Sequence, residues 1–378
     1  TTYDVGLDLD FFNNRLSVSG DYYRRYTTDM YTASVALPAV YGTGSPKGNN
    51  AEMKTDGWEL SLSWRDSFKL GGKPFDYSIK AMVWDSKSVI TKYVNDTGSL
   101  GTVKGFIENG GSPSSYYVGM TVGEIWGYTV AGLFRDQADI DSSAIHDFVQ
   151  ASDKVTRPGQ VKIADLDGNG FIDPGNFAVD DHGDLRIIGN QSPRYRYGVN
   201  LSARWNGIGL SVFLQGVGAR DWYPGSDAGM FWGKYGRPFF ALIPSIHNYT
   251  DDMYSAERNN WDTAYWPRMT TYQSNGTKNW TRLLEIPNTR YIQSAAYLRV
   301  KNIQLDYSFP KHICSAIRLQ GLKIYVNAEN LFTFTPLHKY APNFDPEGLS
   351  YDSDFASAAD GYTYPILKSV TVGVNITF

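Results

Sequence analysis

The segment Tyr364–Phe378 constrains the fold more than any other stretch. Val370, Val372, Val374, Ile376 and Phe378 alternate with Thr371, Gly373, Asn375 and Thr377. A period of two puts the apolar set on one face of a strand and the polar set on the other. This strand runs to an aromatic last residue, where a soluble domain usually frays. Outer-membrane barrels finish in this way. The last strand of a soluble sandwich also alternates, so this stretch alone leaves both architectures open.

The same period recurs along the chain. Tyr3, Val5, Leu7, Leu9 and Phe11 alternate with Asp4, Gly6, Asp8 and Asp10. Asn13-Asn14 supplies a tight turn, since Asn tolerates positive φ. Leu16, Val18, Gly20 and Tyr22 form the return. A polar loop over about 33–50 precedes Trp58, Leu60, Leu62 and Trp64. A Gly71-Gly72 turn then leads to Phe75, Tyr77, Ile79, Ala81 and Val83. Regularity resumes at Tyr195–Trp205, and Asn206-Gly207 turns the chain into Ile208, Leu210, Val212 and Leu214. Ile303–Phe309, Leu322–Ala328 and the closing segment complete nine expected strands. Two long insertions, residues 86–194 and 221–290, interrupt them, and Ala138–Gln150 in the first reads as a short helix.

Short turns therefore alternate with long loops, which is the asymmetry of bacterial outer-membrane barrels: short periplasmic turns and long extracellular loops. The polar faces carry Asp, Asn, Ser, Gly, Arg and Gln, which suit a wet lumen. The apolar faces are nearly free of charge, with aromatic residues near strand ends, as an interfacial girdle requires. The expected fold is all-β, the C-terminal portion of a large transmembrane β-barrel of antiparallel strands. Its nine strands leave two open edges, which lipid does not tolerate. Residues 1–378 are accordingly expected to be one segment of a larger barrel bordered by outer-membrane lipid.

Composition closes off other classes. A net charge of −4 argues against a nucleic-acid surface. No apolar run reaches the length of a membrane helix, which says nothing against a barrel. Cys314 is the only cysteine, so no intrachain disulfide forms. The five histidines show no metal spacing, no Ser-His-Asp arrangement stands out, and no enzyme activity is expected.

Particular stretches add a resemblance. Tyr297-Leu-Arg-Val-Lys-Asn-Ile303 runs into Leu305-Asp-Tyr-Ser-Phe-Pro310, and Gly321–Phe332 reads Gly-Leu-Lys-Ile-Tyr-Val-Asn-Ala-Glu-Asn-Leu-Phe. Ile125–Phe134 reads Ile-Trp-Gly-Tyr-Thr-Val-Ala-Gly-Leu-Phe, and Ile187-Ile-Gly-Asn-Gln-Ser-Pro193 precedes a strand. In this order they resemble the C-terminal part of SusC-like TonB-dependent transporters of Bacteroidetes. The resemblance implies a barrel of about 22 strands, with a plug and a TonB-contacting region in sequence N-terminal to this segment. It further implies a SusD-like surface lipoprotein as partner, and active import of oligosaccharides or, in some members, peptides. A surface glycan-binding β-domain or adhesin, and a glycoside hydrolase with two opposed carboxylates, are the competing readings.

Two candidate sites follow. Asp165-Leu-Asp167-Gly-Asn169-Gly170-Phe171-Ile-Asp173 fits the first nine positions of a Ca²⁺ loop. Asp165, Asp167, Asn169 and Asp173 offer side-chain oxygens, Phe171 its main-chain carbonyl, and Gly170 the sharp turn. The twelfth place is Asn176, not an acid. The resemblance implies an acid just before Ile-Gly-Asn, here Asp184, with Asp180 and Asp181 as competitors. The expectation is a structural Ca²⁺ stiffening an extracellular loop, against an acidic loop with no ion. The second candidate is the set Trp222, Trp232, Trp261, Trp266 and Trp280, whose flat rings could stack on sugar; loop packing or contact with the lipoprotein is the alternative for each.

Overall fold

The computed structural model describes residues 1–33, 40, 42, 46–95, 99–100, 116–145, 156–224, 231, 252–268, 287–349 and 366–378. The first four strands are β1 (Thr2–Phe11), β2 (Leu16–Ala33), β3 (Lys47–Leu70) and β4 (Lys73–Lys92). Within the first long connection lie β5 (Glu124–Tyr128), β6 (Val130–Leu133), helix α1 (Gln137–Asp141), β7 (Val161–Ile163) and β8 (Leu185–Asn190). Next come β9 (Arg194–Trp205), β10 (Ile208–Ala219), β11 (Asp221–Trp222), β12 (Gln293–Ser294) and β13 (Tyr297–Ser308). Helix α2 (Lys311–Ala316), β14 (Gly321–Phe334), a 3₁₀ turn (Pro336–Lys339) and β15 (Ser369–Thr377) complete the chain.

Nine strands form one sheet in the order β1-β2-β3-β4-β9-β10-β13-β14-β15, every neighbouring pair antiparallel. These are the nine strands expected from the period of two. The sheet does not close on itself, and β1 and β15 are its edges. Turn chemistry fixes the short ends. Asn13 and Asn14 take φ of 56° and 63°, Gly71 and Gly72 take 58° and 77°, and Asn206 and Gly207 take 46° and 87°. The two-residue turns Gly71-Gly72 and Asn206-Gly207 match the twist of the strands they join, while β1 and β2 are joined by the four residues 12–15, with Phe12 also left-handed at 56°.

Register carries the apolar positions across the whole sheet. Leu9 faces Val18, Val18 faces Leu62, Leu62 faces Ala81, Ala81 faces Val199 and Val199 faces Leu214. Leu305 continues to Val326 and Val326 to Val372. One face is thus an unbroken apolar surface nine strands wide, and it is bare: Val5 is 75% and Val372 73% exposed. Neither a second sheet nor a helix covers it among the described residues. In water such a surface would far exceed the few hundred Å² that soluble proteins leave open.

The opposite face is polar. Ser19 pairs with Ser61, Ser78 with Ser202, Asn302 with Glu329 and Gln304 with Asn327. Here Tyr23 lies over its cross-strand partner Gly57, and Tyr325 over Gly373, where a Cβ would come within 2.3 Å and 2.2 Å of the ring. These glycines leave room for a flat tyrosine against the wall.

The buried apolar core sits elsewhere. It gathers Leu100, Trp126, Leu133, Val161, Leu185, Tyr291, Leu337 and Phe344 from the long connections. Ile90 and Met53, a register pair on the polar side of the sheet, also pack on it. The loops therefore fold over the polar face at one end and leave the apolar face free.

Two expectations change in detail. The connection expected over 86–194 leaves the sheet later, because β4 continues to Lys92. The helix expected over Ala138–Gln150 is the five residues of α1. The Asp136 carboxylate accepts from Asp139 N at 2.8 Å to cap its start, and Ser142 Oγ donates to Ala138 O at 2.9 Å at its end. Asp136 thus stabilises the start, while the Ser142 hydroxyl competes for the backbone at the end; residues 146–150 lie outside the described residues.

A charge should discriminate the two faces. Arg in place of Leu62 is expected to cost the complete barrel about 2–4 kcal/mol of stability in lipid vesicles, and Arg in place of Ser61, one residue away, close to none. Equilibrium unfolding measures both.

Candidate functional site

The polar face lines a cavity of about 550 Å³ near the short-turn end, bordered by Arg65, Asp76, Ser78, Ser202, Arg204 and Asp306. Alternation along β3, β4, β9 and β13 brings these together from four strands. Asp306, only 4% exposed, lies 3.2 Å from Lys323 Nζ and 3.7 Å from Arg204 Nη2. Ser78 and Ser202 hydroxyls are 2.8 Å apart, and Asn302 Nδ2 donates to Asn327 Oδ1 at 2.7 Å. The wall is rich in donors and acceptors, as a hydrated passage requires, and among the described residues it holds no paired nucleophile and base.

Two ion clusters fix the loops to the mouth of the sheet. Asp85 accepts from Arg194 Nε at 2.6 Å, Arg194 Nη2 at 2.5 Å and Tyr195 N at 3.2 Å. This clamps the two ends of the first long connection. Arg299, 3% exposed, donates to Glu347 at 2.5 Å, Asp345 at 2.7 Å and Thr333 Oγ1 at 2.9 Å, and Lys301 joins Glu347 at 2.8 Å. A buried guanidinium is tolerable only when its donors are spent in this way. Sequence reading missed both clusters, because the partners stand 109 and 46–48 residues apart and carry no local period. Strict alternation would put Arg299 on the side of Ile303 and Leu305; an irregularity in the register at Lys301 turns it to the other face.

The expected tryptophans divide. Trp222 and Trp266 are 0% and 1% exposed. Trp222 packs at 4.8 Å from Phe344, and Trp266 at 5.8 Å from Tyr291 with nearly parallel rings and 5.1 Å from Phe231. Their faces are taken by other rings. Trp261 is half-buried and packs on the same core. Trp232 and Trp280 lie outside the described residues. Burial holds the phenols of Tyr265 and Tyr291 well above the ordinary tyrosine range, so both stay neutral.

The acidic loop is built as follows. Asp165 Oδ1 accepts from Gly168 N at 2.6 Å and Oδ2 from Gly170 N at 2.9 Å. Those backbone donors, that of Gly170 foremost, hold its carboxyl below the usual range. Gly168 and Gly170 take φ of 76° and 85°, which L side chains resist. Asp167 accepts from Asn169 N at 3.0 Å, and Asn169 Oδ1 accepts from Phe171 N at 2.7 Å. Asp184 is fully buried and accepts from Leu166 N at 2.6 Å and Asp173 N at 3.1 Å; burial pushes its carboxyl up.

Oxygens of Asp165, Asp167 and Asp184 lie within 4.8 Å of one another. Asp173 stands outside that trio, its carboxylate held by Gly175 N and Asn169 Nδ2. Of the competing acids, Asp181 pairs with Asn176 instead. Among the described residues no ion pair reaches the trio; Arg186 is committed to His182 and to the carbonyls of Gly183 and Leu185. Three converging carboxylates, one buried, repel without a cation, and hard oxygen donors on a glycine-turned loop fit Ca²⁺.

Comparison with known proteins gives consistent results. Residues 1–174 match the family described as TonB dependent receptor-like, beta-barrel. The chain is 26% identical over 383 residues to TonB-dependent receptor P3 of Formosa agariphila, covering 99% of the chain and 34% of that protein. It is 23% identical over 384 residues to TonB-dependent receptor SusC of Bacteroides thetaiotaomicron, covering all of the chain and 32% of that protein. A solved structure of the RagAB peptide importer in its closed-closed state superposes over 100% of the chain and 35% of its own, with a TM-score of 0.64 at 19% identity. The chain spans about a third of the length of the curated relatives it matches.

Proposed function

We propose, for a chain that belongs to the TonB-dependent receptor β-barrel family of the outer membrane, that it forms part of the wall and extracellular mouth of an importer. The observation that carries this reading is the two-sided sheet: nine strands wide, apolar and bare on one side, polar on the other, with the loop core folded over the polar side at one end. Hydrocarbon on the first face and water on the second make a conduit. The remaining barrel strands and a plug would come from the rest of the protein and cover the edges of β1 and β15. TonB would engage that other part and supply energy from the inner membrane.

The cargo class is an oligosaccharide or a peptide, and the mouth is the surface on which a SusD-like lipoprotein would close. The serine, asparagine and arginine groups of the wall suit hydroxyl-rich or peptide ligands alike, and their hydrogen bonds are short-lived stepping places, not chemistry. Members of this family are transporters and not enzymes. A surface binding domain without transport would need its apolar face covered. Cells carrying the complete protein should accumulate labelled oligosaccharide or peptide, and lose that uptake when the proton gradient is collapsed or TonB is deleted. Uptake indifferent to both, or binding with no accumulation, would contradict active import.

Asp165, Asp167 and Asp184 are proposed to hold a structural Ca²⁺, with Asn169, the Phe171 carbonyl and Asp173 adjoining. The ion would cancel the repulsion of the three carboxylates and tie the 165–173 loop to the strand start at Leu185. Calcium at about a hundred times its Kd should add about 2.7 kcal/mol to the stability of this unit. Chelation should speed proteolytic cleavage of the loop, and Asp184→Asn should remove the calcium effect. Equal cleavage with chelator and with micromolar calcium would show that the loop stands without an ion.

A further inference from the structure

We propose that the lipid-facing side of β2, β3 and β4 carries a site for the phosphate of an anionic glycolipid in the outer leaflet, at the rim of the hydrocarbon; this rests on reading the sheet as a barrel wall. On β3 the apolar face runs from Trp64 through Leu62 and Leu60 to Trp58, with Asp66 at its turn-end limit and Asp56 at its loop-end limit. Ten residues of strand at the usual barrel tilt rise about 25 Å, the height of the apolar band in such proteins. Asp56 therefore stands where hydrocarbon gives way to headgroups, on the side of the loops.

The register assembles a charged group there. Arg24 faces Asp56 and Asp56 faces Lys87; one row on, Tyr26 faces Lys54. All lie on the same face as Tyr22 and Trp58, one row beneath. Arg24 Nε is 2.5 Å and Lys54 Nζ 3.3 Å from Asp56, and Lys87 is exposed. Two cations contact this carboxylate and a third, Lys87, is its register partner, so the group carries excess positive charge. Tyr22 Oη donates to Asp56 Oδ1 at 3.2 Å, and Tyr3 meets Tyr26 edge-on at 6.4 Å. Aromatic rings thus frame the cations at headgroup depth, where such rings anchor.

The cluster is local. The row of Arg24 and Asp56 ends at Lys87, because β4 pairs with β9 only as far as Trp84 and Arg196. On neighbouring β9, Arg194 is already paired with Asp85. Excess cations in a low-dielectric interface call for an anion. The surface is continuous with the lipid band, and the anion available to an outward-facing group at that depth is a headgroup phosphate. A planar guanidinium and two ammoniums supply charge-assisted donors to phosphate oxygens, each basic group adding about 1 kcal/mol near an anionic membrane.

The test uses the complete protein in detergent, stripped of lipid. It is titrated with monophosphoryl lipid A, with the same lipid after phosphatase treatment, and with inorganic phosphate. Wild type should prefer the phosphorylated lipid by about tenfold or more. The triple variant Arg24→Gln, Lys54→Gln, Lys87→Gln should lose that preference, and Arg25→Gln, which removes a cation from the opposite face, should keep it. Inorganic phosphate should bind far more weakly than the lipid. No phosphate preference in wild type, a preference that survives the triple variant, an equal loss in Arg25→Gln, or inorganic phosphate binding as tightly as the lipid would each overturn the proposal. The phosphatase arm needs no variant and so stands if the triple variant does not fold. Heat-modifiable migration reports the folded barrel separately, so failure of the wall reading appears there and not in the titration.

Discussion

Hydrocarbon offers no partner to a backbone N–H or C=O, and the whole sheet answers to that constraint. A strand can cross only if both its edges are paired. Nine strands follow in sequence order, each bonded to the next, which pairs both edges of the seven inner strands and leaves one edge each of β1 and β15. Once pairing fixes the register, the period of two distributes chemistry without further choice. Leu9, Val18, Leu62, Ala81 and Val199 fall in one row, and every residue beside them faces the other way. A slip of one residue would turn serines to lipid and leucines to water, so register here is specified by solvent on both faces.

The distribution of burial is the reverse of a soluble domain. The sheet is the exposed part, and the interior lies in the loops, where Trp222, Trp266, Tyr291 and Phe344 stack on one another. The loops stand in water and must bury apolar surface to hold a shape; the strands stand in lipid and need not. Long strands join the two regions. β3 has 24 residues, although about 9–11 suffice to cross a bilayer. The surplus carries the sheet beyond the membrane, where Met53 and Ile90 enter the loop core. Asp85 with Arg194, and Arg299 with Asp345 and Glu347, fix the loops at that junction.

Physical pattern explains what the sequence disclosed. The nine crossings were legible because each is a run of alternation, and six of them meet in three hairpins at Asn-Asn, Gly-Gly or Asn-Gly. The upper part of β3 was not: past Trp58 the lipid side turns to Asp56 and Lys54, and alternation of polarity disappears although the strand continues. The tryptophans were found, but not their surroundings. A ring that stacks on sugar and one that stacks on Phe344 have the same composition signal, and only packing separates them. The acidic loop was legible as a ligand pattern. That Asp184, not Asp180 or Asp181, meets Asp165 and Asp167 depends on a backbone path no spacing rule records. The two ion clusters at the mouth were invisible for the same reason.

The central claim is that lipid touches one face of this sheet and water the other. Nitroxide labels placed singly at positions 57–65 of β3 in the complete protein, reconstituted in vesicles, test it most directly. Collision with oxygen, which concentrates in hydrocarbon, should peak at 58, 60, 62 and 64, and collision with a water-soluble nickel chelate at 57, 59, 61 and 63. Equal accessibility at all nine positions, or the opposite phase, would contradict the account.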